Sequence, residues 1–195
     1  MVRDIALFAS GLLSGRVGGP SVFPFQPEGI WDNPYNDDRW QMSAGEDRYR
    51  RALYTFSRRT APYPGLTVFD APSREFCTVR RVRTNTPLQA LTTLNDPVFF
   101  EAARALAART LAEAAATPEE RAAHAFRLCT ARRPKPAELA PLVSFQERQL
   151  ARFRADPEAA RAIAGVAAPG EAAERAAWTM VANVLLNLDE TLTKE

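Results

Sequence analysis

The sequence predicts a mainly α-helical fold: a helical bundle with a long irregular, turn-rich N-terminal region and at most minor β structure. Three observations lead to it, namely the positions of proline and glycine, the positions of alanine, and regularly spaced apolar residues. Residues 1–97 hold nine of the 15 prolines and seven of the nine glycines, and residues 101–195 hold 28 alanines. Because alanine favours helices and proline and glycine interrupt them, we expect a single domain, 1–195, with an irregular motif-rich part, 1–97, and a helical array, 98–195.

The overall composition is that of an ordinary globular domain. Of the 195 residues, 46% are hydrophobic and 25% are charged, and the formal net charge is +2. Such a chain can bury a core without disulfides or metals, and no apolar run approaches the roughly 18 residues of a membrane span. With one histidine, two cysteines and no CxxCH motif, we expect no metal, no c-type haem and no other cofactor in this chain.

The irregular part begins with one helix and then loses all periodicity. The apolar run at 5–13 predicts a first helix that ends at Gly11 or Gly15. Segment 18–45 has no period, but it carries too many aromatic residues for a disordered linker, so we expect an ordered loop packed on the bundle. These aromatic residues are Phe23, Phe25, Trp31, Tyr35 and Trp40. The only candidates for strands are short runs at 52–57 and 66–69.

The later helices share one start signal, a capping residue followed by proline. The side-chain oxygen of the cap accepts a hydrogen bond from a free backbone N–H, and proline at the first helical position has a suitable φ and no N–H to satisfy. The signal occurs at Thr86-Pro87, Asp96-Pro97, Thr117-Pro118 and Asp156-Pro157. Gln89 and Glu120 follow two of these caps by three residues, which predicts two capping boxes.

Apolar residues recur at helical spacing behind these starts. Spacings of three, four and seven residues place side chains on one helix face. Four such faces are Phe99, Ala103, Leu106 and Thr110; Ala122, Ala125, Phe126 and Cys129; Leu139, Leu142, Val143, Gln146, Leu150 and Phe153; and Ala177, Val181, Val184 and Leu188, with Trp178 and Leu185 beside the last. These faces predict the bundle core.

Positive charge is concentrated in residues 48–83. This segment holds nine arginines against Asp70 and Glu75, a local charge of +7, although the whole chain is nearly neutral. A local basic region of this kind indicates an acidic partner surface or internal ion pairs. Nucleic acid is disfavoured, because the region has almost no lysine, the net charge is low, and no helix-turn-helix or zinc motif is present.

The end of this segment is the strongest candidate for a binding site. Arg80, Arg81 and Arg83 precede the capped helix start at Thr86, where guanidinium groups and free N–H groups both favour an anion. A phosphate, a sulfate or an acidic sugar would fit. In the alternative, these arginines pair with Asp70, Glu75 and the acidic run 36–38 and hold the loops on the bundle. The remaining candidates for contact with an anion or a partner are Thr84, Asn85, Gln89 and Arg74.

The other titratable side chains have structural explanations at hand. Asp70 and Glu75 could act as an acid–base pair on a glycoside, which requires two carboxylates across a cleft, but a turn residue and an ion-pair partner are simpler roles. His124, the only histidine, lies opposite the apolar face of its helix, which predicts an exposed position. Cys77 and Cys129 are expected to be buried, inert thiols.

Residues 69–97 read FDAPSREFCTVRRVRTNTPLQALTTLNDP, and this run resembles a known family. Together with 54–60, 19–24 and the closing 187–190, it is similar to the C-terminal part of the planctomycete-type domain of unknown function fifteen fifty-three. The similarity covers nearly the whole chain, although Ser57 stands where tryptophan is common. The resemblance implies that residues 1–195 are the C-terminal part of a larger family domain.

The resemblance carries further expectations about context. Members of this family are usually exported and often carry an upstream cytochrome c-like domain, so it implies a periplasmic or cell-envelope location, although this chain has no signal-peptide pattern. It also implies that the partners are other domains of the same full-length protein, possibly the cytochrome c-like domain. The family has no established reaction, so the resemblance names no substrate.

Two hypotheses of function follow. The first is a non-catalytic interaction or scaffold domain that meets other domains or an anionic polysaccharide. The alternative is an enzyme domain that acts on acidic or sulfated polysaccharide, with arginines as anion clamps and Asp70 and Glu75 as acid and base. An enzyme needs its motif residues in one open pocket, whereas a scaffold would bury them in mutual hydrogen bonds.

Overall fold

The computed structural model of the chain describes residues 1–32, 39–80, 82, 84–166 and 169–193. Its helices, numbered in chain order, are α1 (Val2–Ser10), α2 (Pro64–Val68), α3 (Pro87–Asn95), α4 (Pro97–Glu113), α5 (Pro118–Thr130), α6 (Pro136–Ala155), α7 (Pro157–Ala164), α8 (Pro169–Leu186) and α9 (Asp189–Leu192). The predicted mainly α-helical fold is confirmed. Within the described ranges, the β contacts outside helices are isolated bridges, Ser14 with Arg50 and Val22 with Thr55.

Helix α8 lies at the centre of the bundle. It packs against α4 on one side and against α6 and α7 on the other, while α1 packs on α4 and α5. The main core contains the fully buried Leu106 of α4 and Trp178 and Leu185 of α8. A smaller cluster, centred on Phe153, joins α6, α7 and α8 through small alanines. Since alanine has a short side chain, these helices can approach one another closely.

All four predicted helix starts are confirmed, and the caps are closed by side chains. Asp96 accepts from the N–H of Val98 at 2.9 Å, and Asp156 accepts from the N–H of Ala159 at 3.0 Å. Thr86 and Gln89 form a complete capping box. At Thr117 the box is incomplete, because its hydroxyl donates to the carboxylate of Glu120 at 2.6 Å while it accepts from the Glu120 N–H.

The predicted apolar faces pack toward the core, but the buried face of α8 is rotated about the helix axis relative to the predicted one. The face of α5 that holds Phe126 and Cys129 lies in the core as predicted. On α8 the buried face is centred on Trp178, Val181 and Leu185, whereas Val184 is only half-buried. Two neighbouring elements on opposite sides of α8 widen its buried face, which a single stripe does not predict.

The predicted strands are wrong. The run 66–69 falls largely in helix α2, which begins at Pro64. The run 52–57 begins with a 3₁₀ turn, Ala52–Tyr54, and contributes one bridge through Thr55. Short apolar runs fit either a strand or one helical turn, and here proline at the first helical position decides for the helix.

An aromatic cluster organises the loop that precedes α2, as the aromatic content predicted. Trp40 lies edge-on to Phe23 with ring centroids 5.0 Å apart and stacks on Tyr63 at 5.7 Å. Trp31 and Phe56 complete the cluster. Tyr35, which was expected to belong here, lies outside the described residues, as does the acidic run 36–38.

Helix α1 ends at Gly11, one of the two glycines predicted for it. Gly11 has φ +78°, a left-handed conformation that glycine adopts without strain. Asp4 of α1 accepts from the N–H of Ala52 at 2.7 Å, which ties the irregular segment 45–55 to the bundle. In the part of the chain that the structure describes, no helix is long and apolar enough to cross a membrane.

Candidate functional site

Most of the candidate residues line one cavity of about 700 Å³, which we call the cleft. Its walls come from α2, the segment 79–85, the N-terminal turn of α3, and α9. The residues singled out from the sequence that line it are Asp70, Arg80, Thr84, Asn85, Gln89 and Asp96. The structure therefore brings together side chains spread over a long stretch of sequence.

Asp70 lies at the centre of a hydrogen-bond network on the cleft wall. Its Oδ2 accepts from the backbone N–H of Thr84 at 2.9 Å and from the Thr84 hydroxyl at 2.8 Å. The side-chain amide of Gln89 also donates to this oxygen, at 3.3 Å. These hydrogen bonds join the turn after α2 to the residues just before α3, so Asp70 fixes the approach to α3.

Gln89 is the hub that ties this network to the helix cap. Its Nε2 donates to Thr84 Oγ1 and to the backbone carbonyl of Val68, each at 2.9 Å. Its Oε1 accepts from the N–H of Thr86 at 3.2 Å, and its own N–H donates to Thr86 Oγ1. Only 8% of Gln89 is exposed. Both polar atoms of the Gln89 side-chain amide are therefore hydrogen-bonded to neighbouring residues of the same region.

The local backbone explains why an aspartate stands at position 70. Asp70 follows α2 with φ +57°, in the left-handed region that few residues other than glycine, asparagine and aspartate tolerate. This conformation turns the chain back toward the start of α3. Thr86, as the first residue of the capping box, then fixes the direction in which Gln89 projects.

The other predicted site residues are distributed differently. Arg80 and Asn85 are exposed at the cleft, and neither forms an ion pair within the described ranges. Arg74 is exposed and lines another cavity. Glu75 is exposed and donates its backbone N–H to Ser73 Oγ; no arginine partner of its carboxylate occurs among the described residues. Arg81 and Arg83 lie outside the described residues.

The floor of the cleft holds two buried polar side chains, Arg3 and Tyr63, and the half-buried Asp96. Arg3 is 9% exposed and Tyr63 is 7% exposed, and burial lowers the pKa of Arg3 and raises the pKa of Tyr63 to about 12. Burial also raises the pKa of Asp96, partly offset by the hydrogen bonds that it accepts at the start of α4. Tyr63 donates its hydroxyl to the carbonyl of Phe25 at 2.9 Å.

Charge does not favour an anion in the cleft as far as it is described. Its described charged residues are Arg3 and Arg80 against Asp70, Asp96 and Asp189. The helix N-terminus beside them is closed by the Thr86 capping box, which occupies an N–H that an anion would need. The described cleft therefore fits a polar, hydrogen-bonding surface better than an anion clamp.

The basic residues gather instead at a second cavity of about 810 Å³, which we call the groove. Four of the nine arginines of segment 48–83 line it: Arg51, Arg58, Arg59 and Arg74. Two others have internal roles. Arg48 pairs with Glu101 at 3.5 Å, and the buried Arg50 donates to the carbonyls of Arg16 and Pro20 at 3.3 Å and stacks over Tyr54 at 3.8 Å.

The remaining titratable candidates divide into one confirmed and two wrong predictions. Cys129 is buried as predicted, but Cys77 is exposed, because segment 72–80 lies on the surface, and no disulfide joins the two. His124 was predicted to be exposed; its side chain is 17% exposed, with Nε2 3.2 Å from Glu113 Oε2. Neighbouring α4 covers this face of α5. The described residues contain no group of side chains suited to a metal ion.

Sequence reasoning missed the floor of the cleft and the apolar side of the groove. Arg3 looked like an ordinary charge in a first helix, and its burial depends on the segment near Arg50, far along the chain. Phe8 and Leu53 were not singled out from the sequence, and they are 69% and 74% exposed. The excess of arginine in segment 48–83 indicated a basic surface, but it did not indicate which of these arginines line the groove.

A family model described as PSD1, protein of unknown function (DUF1553), matches residues 1–146. The chain belongs to this DUF1553 family. The match includes all residues that line the groove and most of those that line the cleft, and it ends within α6, before the central helix α8 of the bundle. No curated protein and no solved structure matches the chain. The DUF1553 description states no reaction, so function has to be inferred from geometry.

Proposed function

We propose that this DUF1553 chain is a non-catalytic interaction domain of an exported protein. The observation that carries the proposal is the network of Asp70, Thr84 and Gln89. The most distinctive motif of the sequence uses its polar side chains to hold two loops on the start of α3. Residues that are saturated by internal hydrogen bonds stabilise a surface and leave little capacity for chemistry.

The same network disfavours the acid–base alternative. A glycosidase mechanism needs two carboxylates on opposite sides of a substrate, one of which can release or take up a proton. Asp70 is engaged by Thr84 and Gln89, and Glu75 lies among the lining residues of neither the cleft nor the groove. Asp96, the carboxyl with a raised pKa, caps α4.

The partners that we propose are other domains of the same longer protein, including a cytochrome c-like domain. Support comes from the resemblance of the chain to exported, multidomain planctomycete-type proteins and from the exposed arginines beside the motif. Charged surface groups steer association and select partners more than they add affinity. Export is tested by fractionating the native host with an antibody against this chain; a purely cytoplasmic signal would contradict it.

The structural role of the motif is tested with Asp70→Asn and Gln89→Leu. Gln89→Leu leaves the Val68 carbonyl and the Thr84 hydroxyl without their part-buried donor, so we expect it to lower the free energy of unfolding by about 1–3 kcal/mol. Asp70→Asn replaces a charged acceptor by a neutral one at the exposed contacts with Thr84, so we expect a smaller loss of about 1 kcal/mol. Asn85→Ala, at an exposed position of the same cleft, is the matched control and should have no effect on urea unfolding. Asparagine also tolerates the left-handed conformation of residue 70, so the first variant isolates the charge.

The absence of catalysis is tested in parallel. The purified chain is incubated with dextran sulfate and with chondroitin sulfate, and the release of reducing ends is measured. We expect none. Depolymerisation that Asp70→Asn abolishes while the unfolding curve stays unchanged would replace the interaction domain with the enzyme alternative.

A further inference from the structure

One face of α1 is apolar and lies outside the core formed by the described residues. Met1, Ile5 and Phe8 are spaced by four and three residues, which places them on the same side of the helix. Phe8 is 69% exposed, although its neighbours Leu7 and Ala9 are buried on the other side. This stripe forms one side of the groove, with Leu53 and Leu128 beside it. An exposed apolar surface of this kind marks an interaction site.

The rim of the groove is strongly positive. Arg51, Arg59 and Arg74 are exposed, and none of them forms an ion pair with another residue that the structure describes. Arg58 also lines the groove and stacks over Trp31 at 5.0 Å. The acid of the groove, Asp4, is engaged by the N–H of Ala52 at 2.7 Å. Among the described residues that line the groove, the exposed Arg51, Arg59 and Arg74 therefore face one carboxylate, Asp4, which is already hydrogen-bonded.

Arg74 has an unusual backbone for its position. Its φ is +65°, in the left-handed region that residues other than glycine seldom adopt. Conformations of this kind persist where the surrounding structure requires them, and they cluster at binding and switch sites. In this chain the conformation occurs at an exposed arginine that lines the groove.

We propose that the groove is the docking site for an acidic amphipathic helix from another domain of the same longer protein, a proposal that rests on the interaction function above. The apolar face of that helix lies against Ile5, Phe8 and Leu53. Its flanking carboxylates pair with Arg51, Arg59 and Arg74. This is the helix-in-groove mode of recognition, and charge complementarity at the rim selects an acidic helix over a basic one.

The shape of the groove favours a helix over other occupants with the same charge. A flat anionic bilayer would contact the protruding rim and leave the concave floor unfilled. An acidic polysaccharide would pair with the arginines but would leave the apolar stripe without a partner. Only an amphipathic segment satisfies both the floor and the rim.

The test uses a fluorescein-labelled helical peptide of about 15 residues. Its leucines share one face, and its other positions are mostly glutamate. One control peptide has the same composition with the leucines scattered around the helix, and a second carries lysine in place of glutamate. Fluorescence anisotropy should show binding of the first peptide alone, and binding should weaken as salt is raised.

Matched variants of the chain place the peptide in the groove. Phe8→Ser, Leu53→Ser and Arg59→Glu should each weaken binding by about tenfold. Leu88→Ser and Arg154→Glu replace an exposed leucine and an exposed arginine away from the groove, and they should leave binding unchanged. Because all five side chains are exposed, melting temperatures should stay close to that of the parent chain.

Three results would overturn the docking proposal. They are equal affinity for the scattered peptide, equal affinity of Phe8→Ser and the parent chain, and binding of phosphatidylserine vesicles without binding of the peptide. The stability tests at Asp70 and Gln89 are unaffected by any of these results, so failure of the groove leaves the interaction domain to be judged separately.

Discussion

Arg3 donates a hydrogen bond from Nη1 to the backbone carbonyl of Arg50 at 2.8 Å. Its Nη2 donates to the carbonyl of Arg48 at 2.5 Å, whereas its buried Nε has no hydrogen-bond partner. One guanidinium group thus joins α1 to the segment 45–55, and Asp4 on the next position adds a second tie. The floor of the cleft and one side of the groove both depend on this junction.

Replacing Arg3 with methionine should therefore destabilise the fold. The change keeps the aliphatic part of the side chain but leaves two carbonyl oxygens without their donors, at a cost of about 3 kcal/mol. Arg51→Met, at an exposed arginine of the same segment, is the control and should cost little. Urea unfolding measures both. Equal midpoints for the two variants would show that the junction contributes no stability.

Asp96 affects stability in two opposite ways. Its side chain stabilises the start of α4 as a cap, whereas partial burial disfavours its charged form. Its pKa is raised above 3.8 by burial, so the folded protein holds this proton more tightly than the unfolded chain does. The stability contributed by the protonated form is present below the unfolded pKa and is lost as pH rises through the folded pKa.

Asp96→Asn should remove this dependence and keep the cap, because asparagine caps helices as well as aspartate does. At neutral pH it should be at least as stable as the parent chain, whereas Asp96→Ala should lose about 1 kcal/mol. Thermal unfolding across the acid range measures both. A parallel loss in the two variants would mean that the charge itself is required.

Glu138 should dominate the acid sensitivity of the C-terminal end. Hydrogen bonds from Arg132, which also contacts Glu190, and from the backbone N–H of Lys135 lower the pKa of Glu138 from 4.5 to about 2. The stability from this ionised group is present above the unfolded value and is lost as pH falls through about 2.

Glu138→Gln should accordingly flatten the dependence of melting temperature on pH between 4.5 and about 2. Glu147→Gln, on the exposed side of the same helix, should leave the profile unchanged. If the profiles of the parent chain and Glu138→Gln coincide over this interval, the contact of Arg132 with Glu138 is too weak in solution to matter.

The caps at Thr86 and Thr117 should contribute different amounts to the free energy of unfolding. Thr86→Ala breaks a complete capping box and releases Gln89, the hub of the cleft wall, so we expect a loss of about 2 kcal/mol. Thr117→Ala removes an exposed and incomplete box and should cost about 1 kcal/mol or less. The ranking is checked by guanidinium unfolding, and the reverse order would contradict the role given to Gln89.

Sequence signals predicted the parts of the fold that local chemistry decides. Caps, first-turn prolines and helical spacing act within a few residues, and the helix starts at Thr86, Asp96, Thr117 and Asp156 are confirmed. The strand predicted at 66–69 failed because four apolar residues have no distinctive period. The proline at position 64 was the available signal for a helix.

The candidate site was harder to predict because its contacts are not local. The motif 80–89 was recognised, and its residues Arg80, Thr84, Asn85 and Gln89 do meet at one cleft. The exposure of Cys77 and the burial of Arg3 depend on segments far apart in sequence, which no spacing rule encodes. The local net charge predicted a basic region. It could not predict which arginines form ion pairs, which donate to backbone carbonyls and which line the groove.

The packing of α1 also has a consequence for synthesis on the ribosome. Arg109 of α4 donates to the carbonyl of Ala9 in α1 at 3.0 Å, across a separation of 100 residues. Domains form from the N-terminus as the chain emerges, yet α1 has its docking surface only after α4 and α5 have been made. Leu7 and Ala9 therefore stay uncovered until α4 and α5 have been translated, and translation speed through residues 97–130 should set how long this face of α1 is vulnerable to aggregation and proteolysis.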